Sequence, residues 1–256
     1  MGRKQIPRQP WSEAPFLQQI ESVADRWSSG EHPFNIRAFA QGIDLSIRSR
    51  VTFFVGENGS GKSTLLEAVA ECCGFNPEGG NRDHHRATLA DRSRLAQALR
   101  LSWRPTVTQG FFLRAESFYN FASYIETVSD MRAYGGTSLQ AQSHGESFMS
   151  LFTNRFERGI YILDEPEAAL SPQRQLSFLK IIHDLAATGS AQFLIATHSP
   201  MLLAYPGAAV FDLDGDAIHE VGYRETKHFL ITRDFLNSPE RFFAHLFRTN
   251  APTDEA

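Results

Sequence analysis

Residues 51–64 read VTFFVGENGSGKST, a pattern that predicts an apolar strand, a glycine-rich turn and the start of a helix. The turn fits the pattern G-x-x-x-x-G-K-[ST], whose glycines let several backbone N–H groups point inward at phosphate oxygens. A helix that begins near Lys62 directs its positive end at the same anion. We expect Lys62 to reach the β- and γ-phosphates and the Ser63 hydroxyl to bind Mg²⁺. The predicted phosphate site comprises Gly56, Glu57, Asn58, Gly59, Ser60, Gly61, Lys62, Ser63 and Thr64.

A second apolar segment, predicted to be a strand, ends in two acidic residues. Residues 160–166 read IYILDEP, and a strand this apolar is typical of a parallel sheet that helices cover on both faces. Ligands of such sheets bind at the carboxyl ends of the strands, where Asp164 and Glu165 are expected. We predict that Asp164 belongs to the Mg²⁺ shell and that Glu165 orients and deprotonates an attacking water. A simple strand-ending turn is the alternative.

The next segment predicted to be a strand is followed by a histidine, just as the previous one is followed by acidic residues. Residues 192–200 read QFLIATHSP, so His198 follows a buried strand. A neutral imidazole at this edge can bond a γ-phosphate oxygen and the attacking water. We therefore predict that Glu165 and His198 form the catalytic pair.

The chain alternates between strand and helix patterns, which predicts an α/β fold with a mostly parallel sheet. Residues 208–221 favour a hairpin around Asp214 and Gly215 over a metal cluster of Asp212, Asp214 and Asp216. Strands are predicted at 34–39, 43–47, 51–55, 108–115, 160–164 and 192–197. Helices are predicted at 62–74, 91–101, 117–131, 146–156 and 172–188, after His198, and from Glu225 and Pro239.

Composition excludes several classes of protein. The 256 residues are 42% hydrophobic and 21% charged, which is ordinary for a globular protein rather than a disordered one. No apolar run approaches the length of a membrane-spanning helix, and no secretory signal is visible. The net charge of −4 is not that of a polycation that coats nucleic acid. We expect a soluble, cytoplasmic protein.

Four motifs, in this order and spacing, resemble those of the ABC-class ATPases. They are the phosphate loop, LQAQSHGES at 139–147, YILDEPEAALSP at 161–172 and ATHSP at 196–200. The second resembles the family signature LSGGQ, with Ser143, Gly145 and Glu146 matching and His144 in place of a glycine. The resemblance covers about residues 34–222.

The resemblance implies an ABC ATPase-type head with a mostly parallel central sheet, an antiparallel β subdomain and a helical subdomain. It implies ATP and Mg²⁺ as ligands. It further implies a head-to-tail homodimer induced by ATP, in which Ser143, Gly145 and Glu146 cover the nucleotide of the opposite subunit. We expect an arm at 1–33, the ATPase domain at 34–222 with its helical subdomain at about 75–158, and a helical extension at 223–256.

Two elements of the family are less clear in this sequence. The loop that carries a metal-linked glutamine corresponds to FFLRAESF, which contains no glutamine. Arg114 or Glu116 takes its place, and we favour Glu116 as a metal ligand because a carboxylate can reach the waters of the metal. Phe34 or Phe39 can stack on adenine, although both also suit a core.

The motif wording is closer to soluble stand-alone ATPases, including repair and defence proteins, than to transporter subunits. Only 81 residues separate Lys62 from Ser143, too few for the long coiled coil of an SMC-type arm. We expect nucleic acid or a protein as partner, and no transmembrane segment. The alternative is the nucleotide-binding subunit of a transporter with a separate membrane chain. A P-loop kinase of small molecules is a third hypothesis, against which the signature and His198 argue.

An arginine-rich segment at 82–104 allows two interpretations. Its side chains form either a solvated helix face or a contact for a phosphate backbone or an acidic protein. The arginines are Arg82, Arg86, Arg92, Arg94, Arg100 and Arg104.

Overall fold

The computed structural model describes residues 13–76, 92–115 and 158–247. The described strands are β1 Leu17–Ser22, β2 Asp44–Ser46, β3 Val51–Val55, β4 Leu99–Trp103, β5 Gly110–Arg114, β6 Gly159–Asp164, β7 Ala191–Ala196, β8 Ala209–Asp212 and β9 His219–Glu220. The described α-helices are α1 Lys62–Cys73, α2 Arg94–Gln97, α3 Pro172–Ala187, α4 Pro200–Leu203, α5 Lys227–Asn237 and α6 Pro239–Leu246.

The central sheet has six strands in the order β5-β6-β7-β3-β8-β9. The first five run parallel, and β9 pairs antiparallel with β8 as the far half of the predicted hairpin. This confirms the α/β fold with a mostly parallel sheet. Because β3, β7 and β6 are neighbours, the segments that follow them meet at one edge of the sheet.

Helices cover the central sheet on both faces. All residues of β3, β6 and β7 are buried, as their apolar sequences predict. Phe54 packs on one face with Leu65 and Leu66 of α1. Phe53 packs on the other face with Phe178 and Ile182 of α3. Helix α1 ends at Gly74, where φ is 81°, so the predicted glycine stop is confirmed.

A second sheet has three antiparallel strands in the order β2-β1-β4. Its central strand β1 lies within the segment that we expected to be an arm. Residues 17–22 instead pair on both sides, and Leu17 and Ile20 are fully buried. The rest of the predicted division, at residues 34–222 and 223–256, stays a prediction.

Two local predictions were wrong. Residues 34–39 were predicted as a strand, but Arg37–Phe39 form a 3₁₀ helix in which Phe39 N–H donates to Ile36 O. The helix predicted at 91–101 is the single turn α2, capped by Ser93, and β4 follows it. Residues 99–101 pair with β1 instead of forming a helix, and Phe34 and Phe39 are buried in the core without any strand pairing among the described residues.

The C-terminal part of the description holds α5 and α6, close to the predicted starts at Glu225 and Pro239. The helices predicted at 117–131 and 146–156 lie outside the described residues, as does most of the predicted helical subdomain. None of the helices described is long and apolar enough to cross a membrane.

Candidate functional site

The glycine-rich turn after β3 has the backbone that its sequence predicts. Gly56, Gly59 and Gly61 all have positive φ, at 146°, 84° and 101°. A Cβ at Gly56 would lie 2.6 Å from Ser60 Oγ, so no larger residue fits there. The Ser60 hydroxyl is itself buried without a hydrogen-bond partner among the described residues. Asn58 lies in the same turn, and Thr64 lies in the first helical turn that follows.

Lys62 lies folded over this loop and is only 4% exposed. Its Nζ donates to Gly56 O at 2.6 Å and to Glu57 O at 3.1 Å. Burial lowers the pKa of Lys62, and the carboxylates of Glu165 and Asp164 offset part of that effect. The only cation of the loop is therefore positioned at its mouth rather than in bulk solvent.

Ser63 and Asp164 form a pair of oxygen donors. Ser63 Oγ donates to Asp164 Oδ1 at 3.1 Å, across 101 residues of sequence. Burial raises the pKa of Asp164, while the bond from Ser63 and the charge of Arg114 act in the opposite direction.

This donor pair fits Mg²⁺. Mg²⁺ usually takes one or two protein oxygens and completes its shell with water and substrate phosphates. The described residues contain no group of three or more His, Cys, Asp or Glu side chains that could hold a metal by itself. Ser63 and Asp164 are therefore the described residues that would hold the ion.

Arg114, at the end of β5, contacts the buried acid of this pair. Its Nε lies 3.3 Å from Asp164 Oδ2, and its Nη1 lies 2.6 Å from Glu67 Oε1. Arg114 was one of the two residues weighed for the position of the missing glutamine. The other, Glu116, lies outside the described residues and stays a prediction.

Glu165 and His198 meet at the edge of the sheet. His198 Nε2 lies 3.2 Å from Glu165 Oε1. This distance permits an electrostatic contact, but the angles are not those of a hydrogen bond, and Nε2 is buried without such a partner in the described part of the chain. His198 N–H donates to Glu167 Oε1 at 2.6 Å, which fixes the backbone beside the imidazole. The structure thus brings together the two residues that the sequence predicts as catalytic.

Two further contacts at this edge were not predicted. Asp214 Oδ1 accepts a 2.6 Å bond from Glu57 N–H, and its Oδ2 lies 3.1 Å from Lys227 Nζ. Burial acts to raise the pKa of Asp214, but the bonds from Glu57 and Lys227 outweigh it, and the pKa is lowered. His228 Nε2 lies 2.8 Å from His198 Nδ1. The hairpin predicted around Asp214 was the sequence signal that could have indicated its contact with Glu57. No local pattern indicated the contact between His228 and His198.

The remaining candidates divide into three groups. Phe34 and Phe39 are 2% and 0% exposed, so both are core residues rather than adenine platforms. The signature residues Ser143, Gly145 and Glu146 lie outside the described residues, as do Arg82 and Arg86. Arg94 and Arg100 pair with Glu31 and Glu21 of the same chain, at 2.5 and 2.6 Å.

Family models match both halves of the site. A model described as AAA domain matches residues 34–113, which include the phosphate loop. A model described as AAA ATPase domain matches residues 146–203, which include Asp164, Glu165 and His198. Both segments that supply the candidate site are therefore similar to AAA-type ATPase domains.

Individual proteins similar to this chain include a hemin import ATP-binding protein, an SMC head domain and part of an ABC transporter complex. The hemin import ATP-binding protein HmuV of Pseudomonas aeruginosa is 28% identical over 191 residues, which are 64% of this chain and 72% of that protein. The SMC head domain from Thermotoga maritima is 13% identical, with a TM-score of 0.47 over 81% of this chain and 98% of its own. The structure of cbiO1 of Clostridium perfringens, part of the ABC transporter complex cbiONQ, is 15% identical. Its TM-score is 0.48, and the match covers 91% of this chain and 100% of cbiO1.

Proposed function

We propose that this ATPase domain hydrolyses ATP to ADP and phosphate, with Glu165 as general base and His198 as a contact for the γ-phosphate. The observation that carries the proposal is the 3.2 Å approach of His198 Nε2 to Glu165 Oε1. The two side chains lie beyond β6 and β7, at the edge where β3 leads into the phosphate loop. A base and a phosphate contact at one end of a phosphate-binding site are what in-line attack by water requires.

The proposed reaction assigns one role to each of these groups. The water oxygen bonds to the γ-phosphorus while its proton passes to the Glu165 carboxylate. The bond between the γ-phosphorus and the bridging oxygen breaks, and ADP leaves with that oxygen. Lys62 and the loop N–H groups stabilise the negative charge of the phosphates. Ser63 and Asp164 would hold Mg²⁺, which would supply positive charge to offset that of the phosphates.

The working form in this proposal is a head-to-tail homodimer that closes around two Mg-ATP. Ser143, Gly145 and Glu146 of one subunit would cover the γ-phosphate bound by the other, and Glu116 would join the metal site. The motif resemblance supports this arrangement. Closing and reopening would drive a conformational change in a nucleic-acid or protein partner. Phosphate release measured with and without double-stranded DNA separates these two classes of partner.

A second candidate function is that of a transporter subunit. The 28% identity to a hemin import ATP-binding protein favours it. In that case the chain would bind a separate membrane protein, and it would co-purify with membranes from its own cells. The chain would then be recovered in the membrane fraction, and removal of one specific membrane protein would abolish that recovery. This result would favour a membrane protein over the partners proposed first.

Replacement of Glu165 tests the chemistry. We expect Glu165→Gln to lower ATP turnover at least about 100-fold, because the amide cannot accept the proton of the water. ATP binding should persist, since the phosphate loop is unchanged. The measurements are phosphate release and equilibrium nucleotide binding. Glu240→Gln, an exposed change on α6, is the matched control. A Glu165→Gln variant with more than half of the wild-type rate would exclude Glu165 as the base.

A further inference from the structure

The catalytic histidine contacts a second histidine from the C-terminal helices. His228 lies in the first turn of α5, and its Nε2 is 2.8 Å from His198 Nδ1. The ring centroids are 4.9 Å apart, with 58° between the ring planes. A distance of 2.8 Å is that of a hydrogen bond, so one of the two nitrogens carries the proton between them.

The surroundings of His198 determine which nitrogen that is. Its other ring nitrogen, Nε2, lies 3.2 Å from a Glu165 carboxylate oxygen. If His198 Nδ1 carried the proton, the unprotonated and electron-rich Nε2 would lie beside that carboxylate, and the two groups would repel each other. If His228 Nε2–H donates to Nδ1 instead, His198 carries its proton on Nε2, and the partial positive charge of that N–H group lies near the Glu165 carboxylate.

Helix α5 is fixed where this contact requires it. Thr226, which is fully buried, accepts a bond from Phe229 N–H through Oγ1 and so caps the helix. Lys227 Nζ lies 3.1 Å from Asp214 Oδ2. The same carboxylate accepts from Glu57 N–H of the phosphate loop, so the first turn of α5 and the loop share one anchor.

The surroundings of His228 favour its neutral form. It is half-buried, and burial lowers its pKa, as does the neighbouring His198. A neutral imidazole carries one proton, and with that proton on Nε2 His228 donates across the 2.8 Å contact.

We propose that His228 is a positioning residue for ATP hydrolysis, which holds His198 in the tautomer that carries its proton on Nε2 and can donate it to the γ-phosphate. This inference rests on the proposed function, because it assigns His228 a role in the reaction through His198. Loss of the donor leaves His198 free to rotate and to exchange tautomers. A misplaced contact of this kind lowers turnover without weakening nucleotide binding.

The test compares two substitutions at one position. His228→Phe removes the donor and keeps a ring, whereas His228→Gln keeps an N–H donor near the place of Nε2. We expect His228→Phe to lower kcat about 10- to 100-fold with KM within about twofold of wild type. His228→Gln should recover most of that loss. His245→Phe, at an exposed histidine of α6, is the matched control and should retain the wild-type rate.

A spectroscopic measurement separates this inference from the proposed function. Long-range ¹H–¹⁵N spectra show which ring nitrogen of His198 carries the proton, with its signals assigned by their loss in His198→Gln. We expect an unprotonated Nδ1 in the wild type and in His228→Gln, and a mixture of tautomers in His228→Phe. A protonated Nδ1 in the wild type, an unchanged tautomer in His228→Phe, or equal damage by Phe and Gln would overturn the proposal. Absence of ATP turnover in the wild type would instead overturn the proposed function.

Discussion

Glu165 has a left-handed backbone conformation, with φ 51° and ψ 51°. Among the described residues it is the only one other than glycine with a positive φ. This conformation costs a residue with a side chain about 1–2 kcal/mol. It lets the chain turn from β6 into the 3₁₀ helix Pro166–Ala169 while the carboxylate stays beside His198. Backbone strain of this kind concentrates at functional sites, where the surrounding packing holds it.

Glu167 makes a pH-dependent contribution to the free energy of unfolding. Burial raises its pKa above the ordinary value of 4.5, while the bond from His198 N–H acts in the opposite direction. The folded chain therefore binds this proton more tightly than the unfolded chain. The stabilisation is complete below pH 4.5 and is lost as the pH rises through the raised pKa.

Replacement of Glu167 by Gln isolates this contribution. The amide oxygen can still accept from His198 N–H, but it does not titrate in this range. We expect the free energy of unfolding of the wild type, relative to Glu167→Gln, to fall as the pH rises from about 4.5 toward neutral. Urea unfolding of both proteins at several pH values measures the difference. A difference that stays constant with pH would contradict the prediction.

At the scale of single residues, the sequence predicts candidate groups that belong to one motif or directly follow a buried strand, and the described ones lie together at one edge of the sheet. The phosphate loop is contiguous, and Asp164, Glu165 and His198 each follow a recognisably buried strand. The contacts of Asp214 and His228 at this edge were not predicted, because they depend on tertiary structure. Asp214 is 157 residues from Glu57, and His228 reaches His198 only because α5 packs against that edge.

At the scale of elements, the same distinction separates α1 and α3 from β1. Each of the two helices carries its own stop or start: Gly74 after α1, and Ser171 with Pro172 at the start of α3. The sequence of β1, LQQIES, is half polar and lacks such a signal. It becomes a strand because β2 and β4 pair with it on both sides, up to 86 residues away. Tertiary pairing of this kind cannot be deduced from a local pattern.

The start of α5 offers a test at the same scale. We expect Thr226→Ala to lower the free energy of unfolding by about 1–2 kcal/mol, because the helix loses its capping oxygen. ATP turnover should also fall, since the displaced first turn carries His228. Denaturant unfolding and phosphate release measure the two effects. Thr226→Ser keeps the hydroxyl and should retain most of both. Full stability in Thr226→Ala would show that the cap contributes nothing.

At the scale of the whole molecule, the proposal predicts assembly. We expect Glu165→Gln to run as a monomer of 28.7 kDa without nucleotide and to double in mass with Mg-ATP. Blocked hydrolysis should trap the closed dimer. Size-exclusion chromatography with light scattering gives the mass directly. Adding Ser143→Arg should restore the monomer, because the large cation displaces the signature from the opposite nucleotide. A Glu165→Gln protein that stays monomeric in Mg-ATP would contradict the dimer.

The placement of β3 has a consequence for synthesis of the chain. Phe53 pairs with Ile195 on one side and with Val210 on the other. During synthesis on the ribosome, β3 is made well before β7 and β8, the two strands with which it pairs. At about 5–20 residues per second, that delay is on the order of ten seconds. During this time an apolar, β-prone segment lacks its partners, which is the situation that chaperones relieve. The nascent chain therefore acquires its nucleotide site late, once β7 and β8 have emerged.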